Sequence, residues 1–290
     1  MHAVVITAYK DFPTLERMVR RLDRAFFRVI IHVDKRSRIS NDQLERLTAL
    51  GCHCQRTYRV RWGSVTHLYA ILDLLKIAVK YDDCDYVHLV SGQDYPIATV
   101  EDFQTKCDGR IFMKYEPLEI SPDHVAERYR HYNIFYFLQG GPPFSGSLHK
   151  YLDRLFAWGQ KRLKISRNKI MPFEKIFVGT VWMSLPHSAA RKIVEDRKAQ
   201  VFLNGAKRTY LAEEIYFQTY FLNSSFRTST VNNDLRFTDW SFRNGSVPAY
   251  LDENDVQAAI ASGALFARKV SSDTSLKFMQ RIDEVVFGKH

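Results

Sequence analysis

Cysteine is scarce in this chain of 290 residues: Cys52, Cys54, Cys84 and Cys107 are the only four, and no two form a Cys-x-x-Cys pair. That leaves no zinc-module spacing, and an isolated Cys52-x-Cys54 is weak evidence for a metal. Long apolar runs are also missing. None reaches the about 18 residues that a membrane-spanning helix needs, and no secretory signal precedes the first predicted strand. The expectation is a cytoplasmic protein with reduced thiols, working at the inner face of a membrane. Repeats, low-complexity tracts, convincing linkers and recognised nucleic-acid motifs are absent too. One Asp-x-Asp is present, Asp83-Cys84-Asp85, but it precedes a predicted strand, whereas a metal-binding version should follow one.

What is present is apolar and basic. Hydrophobic residues make up 46%, enough for a sizeable core in one large α/β domain or two small ones. The net charge of +10 points to anionic partners: nucleic acid, a membrane surface or a sugar-nucleotide diphosphate. Basic residues concentrate in 150–175, at Lys150, Arg154, Lys161, Arg162, Lys164, Arg167, Lys169 and Lys175, interleaved with Tyr151, Leu152, Leu155, Phe156, Trp158 and Leu163. This amphipathic stretch suits contact with anionic lipid, or equally a solvated helix with one face in the core.

Runs of β-branched and apolar residues at 3–8, 29–33 and 86–90 predict buried strands, separated by helices at 41–50 and 64–80. Fully apolar strands alternating with helices predict a mainly parallel sheet flanked by helices on both faces. In such sheets the ligand crevice lies beyond the carboxyl ends of the strands, where Asp34 and Asp94 fall. Further on, the pattern predicts a loop at 140–146, a strand at 177–185, and helices at 187–200, 211–222, 254–262 and 273–287. A strand at 265–270 carries Arg268 and Lys269, two adjacent cations in an apolar setting that calls for an anion. One continuous domain is expected.

Five segments then occur in order: His32-Val33-Asp34-Lys35-Arg36-Ser37, Ser91-Gly92-Gln93-Asp94-Tyr95-Pro96, Ala212-Glu213-Glu214-Ile215-Tyr216-Phe217, Leu235-Arg236-Phe237-Thr238-Asp239-Trp240 and Ala264-Leu265-Phe266-Ala267-Arg268-Lys269. Together they resemble the core-2/I-branching β-1,6-N-acetylglucosaminyltransferase and xylosyltransferase family over nearly the whole chain. The resemblance implies a GT-A-type fold, with about 1–110 as the nucleotide-binding half and about 111–290 as the acceptor-binding and catalytic half. It also implies an inverting transfer from a UDP-sugar to a glycan or lipid-linked hydroxyl, with no cofactor and no metal.

By the same resemblance Glu214 is the catalytic base, since Glu214 to Thr219 matches the family spacing; a one-residue slip would give the role to Glu213. A sugar hydroxyl is a poor nucleophile, so a base is chemically required. The diphosphate falls to Arg268 and Lys269, with Arg243 near the place of the family's second cation, where Ser246 stands. Asp34 inherits recognition of uracil N3–H, and Trp62 or Ser64 lies near the donor with Asp94. Trp240 packs on the acceptor sugar, with Glu116 and Arg128 in looser correspondence. The xylosyltransferase branch carries Asp where this chain has Val181, although Phe266-Ala267-Arg268-Lys269 resembles that branch. UDP-N-acetylglucosamine is therefore the first expected donor and UDP-xylose the second. The competing class is a non-enzymatic basic protein on anionic lipid or nucleic acid; nucleic acid ranks last for want of a motif.

Overall fold

The computed structural model describes residues 1–132, 148–165 and 172–288. The strands are β1 (His2–Ala8), β2 (Phe27–Val33), β3 (His53–Gln55), β4 (Tyr86–Ser91), β5 (Asp94–Pro96), β6 (Ile111–Met113), β7 (Glu116–Pro117), β8 (Phe177–Val178), β9 (Met183–Pro186), β10 (Thr230–Asn232), β11 (Arg236–Thr238) and β12 (Phe266–Arg268). The first six helices are α1 (Phe12–Arg21), α2 (Asn41–Ala49), α3 (Val65–Ala78), α4 (Val100–Lys106), α5 (Asp123–Arg130) and α6 (Leu148–Arg162). They are followed by α7 (His187–Glu195), α8 (Arg197–Ala206), α9 (Glu213–Leu222), α10 (Val256–Ala261) and α11 (Leu276–Val286).

The main sheet has the order β10-β6-β9-β4-β1-β2-β3. β1 pairs in parallel with both β2 and β4, and β3 continues in parallel from β2. β9 alone runs antiparallel, between β4 and β6. The α/β expectation of a mainly parallel sheet flanked by helices is met. Because side chains alternate along a strand, Ala3 and Val5 of β1 face a core built with α3, α7, α8 and α9. Val4 and Ile6 face the opposite core with α1 and α11.

Two predicted elements are each divided in two. The run 177–185 breaks at 179–182: β8 pairs with β7, while β9 joins the main sheet. The helix expected over 187–200 stops at Asp196, whose carboxylate caps α8 by accepting from the Lys198 N–H at 2.7 Å. The loop expected at 140–146 lies outside the described residues, as does part of 150–175.

A small second sheet, β11-β12-β5, sits by the carboxyl end of β4. Arg236 of β11 pins it there. Its guanidinium donates to the carbonyls of Leu89 (3.0 Å) and Met183 (2.8 Å) and to Ser184 Oγ (2.8 Å). Burial lowers its pKa to about 10.

Candidate active site

The loops after β1, β2 and β4 are stitched together at one edge of the sheet. Asp34 N–H donates to the Ala8 carbonyl at 2.9 Å, and Gly92 N–H to the Thr7 carbonyl at 3.0 Å. Beyond that edge opens a cavity of about 690 Å³ lined by Tyr9, Lys10, Arg36, Arg38, Gln93, Asn244, Tyr250 and Ser271, among others. This is the place where a mainly parallel sheet binds small molecules. Asp83-Cys84-Asp85 stands at the opposite end of β4, and Asp83 is ion-paired there with Arg28. Among the described residues the one grouping suited to a metal is His2, His88 and Cys107. It lies inside the fold, with His2 Nδ1 and His88 Nε2 3.0 Å apart.

The two adjacent cations part company. Arg268 is 8% exposed, its guanidinium lies 4.0 Å from the centre of the Trp182 ring, and its Nε is 3.7 Å from Asp94 Oδ1. Asp94 is fully buried, with its other oxygen accepting from the Ser91 N–H at 2.7 Å and from the Ser91 hydroxyl. The expectation that Asp94 touches a donor is therefore corrected: it has no surface to offer and instead neutralises Arg268 from below.

Lys269 turns outward. Its Nζ lies 5.0 Å from the centre of the Tyr250 ring and 3.5 Å from Ser246 Oγ. Lys10, which the sequence motifs passed over, brings a second ammonium to the same tyrosine, 3.2 Å from its oxygen. Gln93 Nε2 also donates to that oxygen at 3.2 Å, while Tyr9 donates to Gln93 Oε1 at 3.3 Å. Burial alone would raise the Tyr250 phenol; the donors Gln93 and Lys10, with the charge of Lys269, outweigh it and make the phenol more acidic than an ordinary tyrosine. Burial pulls the Lys269 ammonium below its ordinary range, against the restoring field of Tyr250. One clue to Lys10 was in the sequence: it lies two residues beyond β1, at the same strand ends that singled out Asp34.

Arg243 is held by three carboxylates, Asp239 at 3.1 Å, Asp255 at 2.7 Å and Asp252. Its charge organises the Asn244-Gly245 loop, and the expectation that it serves a diphosphate is not carried forward. Asp34 is buried at the end of β2 and accepts from the Arg36 N–H at 2.8 Å. Ser64 is also buried and caps α3 through the Thr66 N–H, whereas Trp62 is 68% exposed against Tyr210. Of those two, Trp62 has the free surface.

The amino end of α9 stands between the donor-side segment and a second cavity. Leu211 N–H donates to the Gly63 carbonyl at 2.9 Å, and Gly179 N–H donates to the Glu214 carbonyl at 2.9 Å. Gly179 fits because its α-carbon passes so close to β6's exit that a Cβ would lie 1.9 Å from the Lys114 carbonyl oxygen. Glu213 is buried and its Oε1 lies 3.0 Å from His67 Nδ1, whose Nε2 is 3.4 Å from Thr7 Oγ1. Glu214 is only half-buried.

The second cavity, about 330 Å³, is lined by Lys114, Thr180, Asp234, Arg236, Phe237, Thr238 and Trp240, among others. Trp240 is 60% exposed, and Thr180 Oγ1 donates to Asp234 Oδ2 at 3.2 Å. Glu116 lies on β7 with Oε1 accepting from the Ser121 hydroxyl at 2.7 Å, outside that lining. Arg128 belongs to α5, and its side chain lies outside the described residues.

A protein-family model described as Core-2/I-Branching enzyme matches residues 2–260. The chain is 23% identical over 297 residues to a human N-acetyllactosaminide beta-1,6-N-acetylglucosaminyl-transferase, covering 94% of this chain and 68% of that protein. It is 20% identical over 300 residues to the xylosyltransferase sqv-6 of Caenorhabditis briggsae, covering 93% of this chain and 35% of the relative. Against the beta-glucuronosyltransferase GlcAT14B of Arabidopsis thaliana it is 30% identical over 131 residues, or 43% of this chain and 30% of that one. The chain thus spans about a third of the length of the last two relatives. Among solved structures, Staphylococcus aureus TarS 1-349 matches 71% of this chain and 55% of its own at 11% identity, with a TM-score of 0.33. No helix among the described residues is long and apolar enough to cross a membrane.

Proposed function

The chain belongs to the Core-2/I-branching enzyme family, a family of glycosyltransferases, and on that premise we propose an inverting, metal-independent transfer of a sugar from a UDP-sugar to a glycan hydroxyl. The observation that carries this reading is the meeting of Lys269 and Lys10 on the Tyr250 ring, at the strand ends where a sugar nucleotide would lie. Departure of UDP builds negative charge on the diphosphate, and fixed cations in a half-buried site stabilise it well. Two ammoniums there perform the task a divalent ion performs elsewhere. Arg268, buried beneath with Asp94, is the positioning residue that fixes the end of β12, from which Lys269 follows.

Glu214 takes the proton from the acceptor hydroxyl. The hydroxyl oxygen attacks the anomeric carbon in line, the bond from that carbon to the diphosphate oxygen breaks, and its electron pair leaves with UDP. Glu213, hydrogen-bonded to His67, holds the helix end rather than the acceptor. Trp240 offers an exposed ring for the acceptor sugar. Asp34 receives uracil N3–H, and Trp62 flanks the donor.

For the donor we place UDP-N-acetylglucosamine first, because the human relative is matched over 68% of its length. UDP-xylose stands second, supported by the likeness of 264–269 to the xylosyltransferase branch. A panel of UDP-sugars incubated with the protein in EDTA tests the proposal. Release of UDP from one of them supports it. No release from any sugar, with or without manganese, would contradict it.

A further inference from the structure

The helix α6 carries a stripe that the proposed chemistry does not use. Residues three and four apart share a helix face, so Tyr151, Leu155 and Trp158 line up together. They are 63%, 50% and 64% exposed. Gln160 occupies the opposite side, is 3% exposed, and locks the helix to the protein: Tyr132 N–H donates to its Oε1 at 2.8 Å and its Nε2 donates to the Tyr132 carbonyl at 3.0 Å. Leu152 and Phe156, half-buried, share the anchored side with Gln160, so the 151–155–158 row is a second apolar row and the one left to solvent. A surface helix ordinarily turns its apolar residues to the core and leaves polar ones outside; α6 keeps an extra apolar row outside.

We propose that the outward face of α6 docks on a bilayer containing anionic phospholipid. Charge chooses the occupant. Arg154, Arg162 and Lys164 are exposed beside the stripe, while Asp153 is the only acidic residue in 148–165. Tyr and Trp seat well at the boundary between headgroups and acyl chains, and flanking cations add attraction to anionic lipid. A second copy of this chain fits worse. Symmetric pairing through the stripe would bring the same cations of both copies face to face.

The inference is independent of the transferase reading, and its test reads lipid rather than sugar. The full chain is sedimented with vesicles of phosphatidylglycerol and phosphatidylcholine, and separately with phosphatidylcholine alone. We expect binding to the mixed vesicles only, weakened at least ten-fold by 0.5 M salt. The double variant L155E/W158E should bind them at least ten-fold more weakly, with its melting temperature and UDP-induced thermal shift unchanged. Brominated lipid should quench the fluorescence of the native protein but quench the W158F variant much less, a readout that does not depend on the charged variant folding. Equal binding by native and double-variant protein, equal binding to neutral vesicles, or no loss of quenching in W158F would overturn the proposal. So would a dimer by light scattering that the double variant dissolves.

Discussion

Neighbouring residues of the same type have been given different work by a single change of direction. Glu213 points into the fold at His67 and Glu214 is the more exposed of the two; Arg268 is buried over Asp94 and Lys269 reaches the ring of Tyr250, which lines the crevice. The transferase reading assigns chemistry to the outward member of each pair. Glu214→Gln should lower turnover by about 10²–10⁴-fold, the usual worth of a general base, and leave UDP affinity within two-fold, about 0.4 kcal/mol. Glu213→Gln keeps a hydrogen bond to His67 and should lose far less. Steady-state kinetics with calorimetric UDP binding separates the two, and the reverse ranking would transfer the role to Glu213. The adjacent pairs were visible in the sequence, but which member faces outward was not. That depends on where a helix begins and on which face of a three-residue strand meets the core.

At the scale of elements, what was legible followed length. β1, β2 and β4 are long, apolar and β-branched, and the pattern found all three. β3, β5, β6 and β11 have three residues each, too few to display a period, and they exist through pairing with neighbours. The break between β8 and β9 had one sign, Gly179. Its reason is a three-dimensional close approach to the Lys114 carbonyl. Gly179→Ala should therefore destabilise the protein by about 3 kcal/mol, the upper end of ordinary overpacking, and displace the first turn of α9. A fall of several degrees in melting temperature is expected; an unchanged melting temperature would show that the backbone there yields freely. Removing Arg236 strands buried carbonyls of β4 and β9, each worth about 1–3 kcal/mol unsatisfied. Arg236→Met should thus be more damaging to stability than Arg243→Met, whose loss leaves three half-buried carboxylates that water still reaches. Chemical denaturation of the two variants checks that order.

Across the whole molecule, buried histidines tie stability to pH. Burial holds His2 and His32 at about 4, below the usual 6.5. The unfolded chain takes up these protons below about 6.5 and the folded chain does not, so stability should fall as pH drops from about 6.5 towards 4. It should be level in this respect above 7. Denaturant titrations at pH 7 and pH 5 measure the slope, and His32→Gln, whose Oε1 reaches the place of Nε2 as an acceptor for the Tyr58 N–H, should make it shallower. An identical slope in that variant would assign the acid sensitivity to other groups. The global site was more legible than its contacts. The strand-end rule led through Asp34 to the edge of the sheet where the cavity lined by Lys10 and Tyr250 opens, yet those two residues come from opposite ends of the chain and no local pattern joins them.

The central claim is that lysine side chains, not a divalent ion, hold the diphosphate. Calorimetric titration of UDP into the native protein and into Lys269→Ala, both in EDTA, tests it most directly. The account predicts binding by the native protein that is indifferent to EDTA and at least ten-fold weaker in the variant, with Lys10→Ala weakened in the same sense. Native affinity retained by Lys269→Ala, or lost on chelation and restored by manganese, would contradict it.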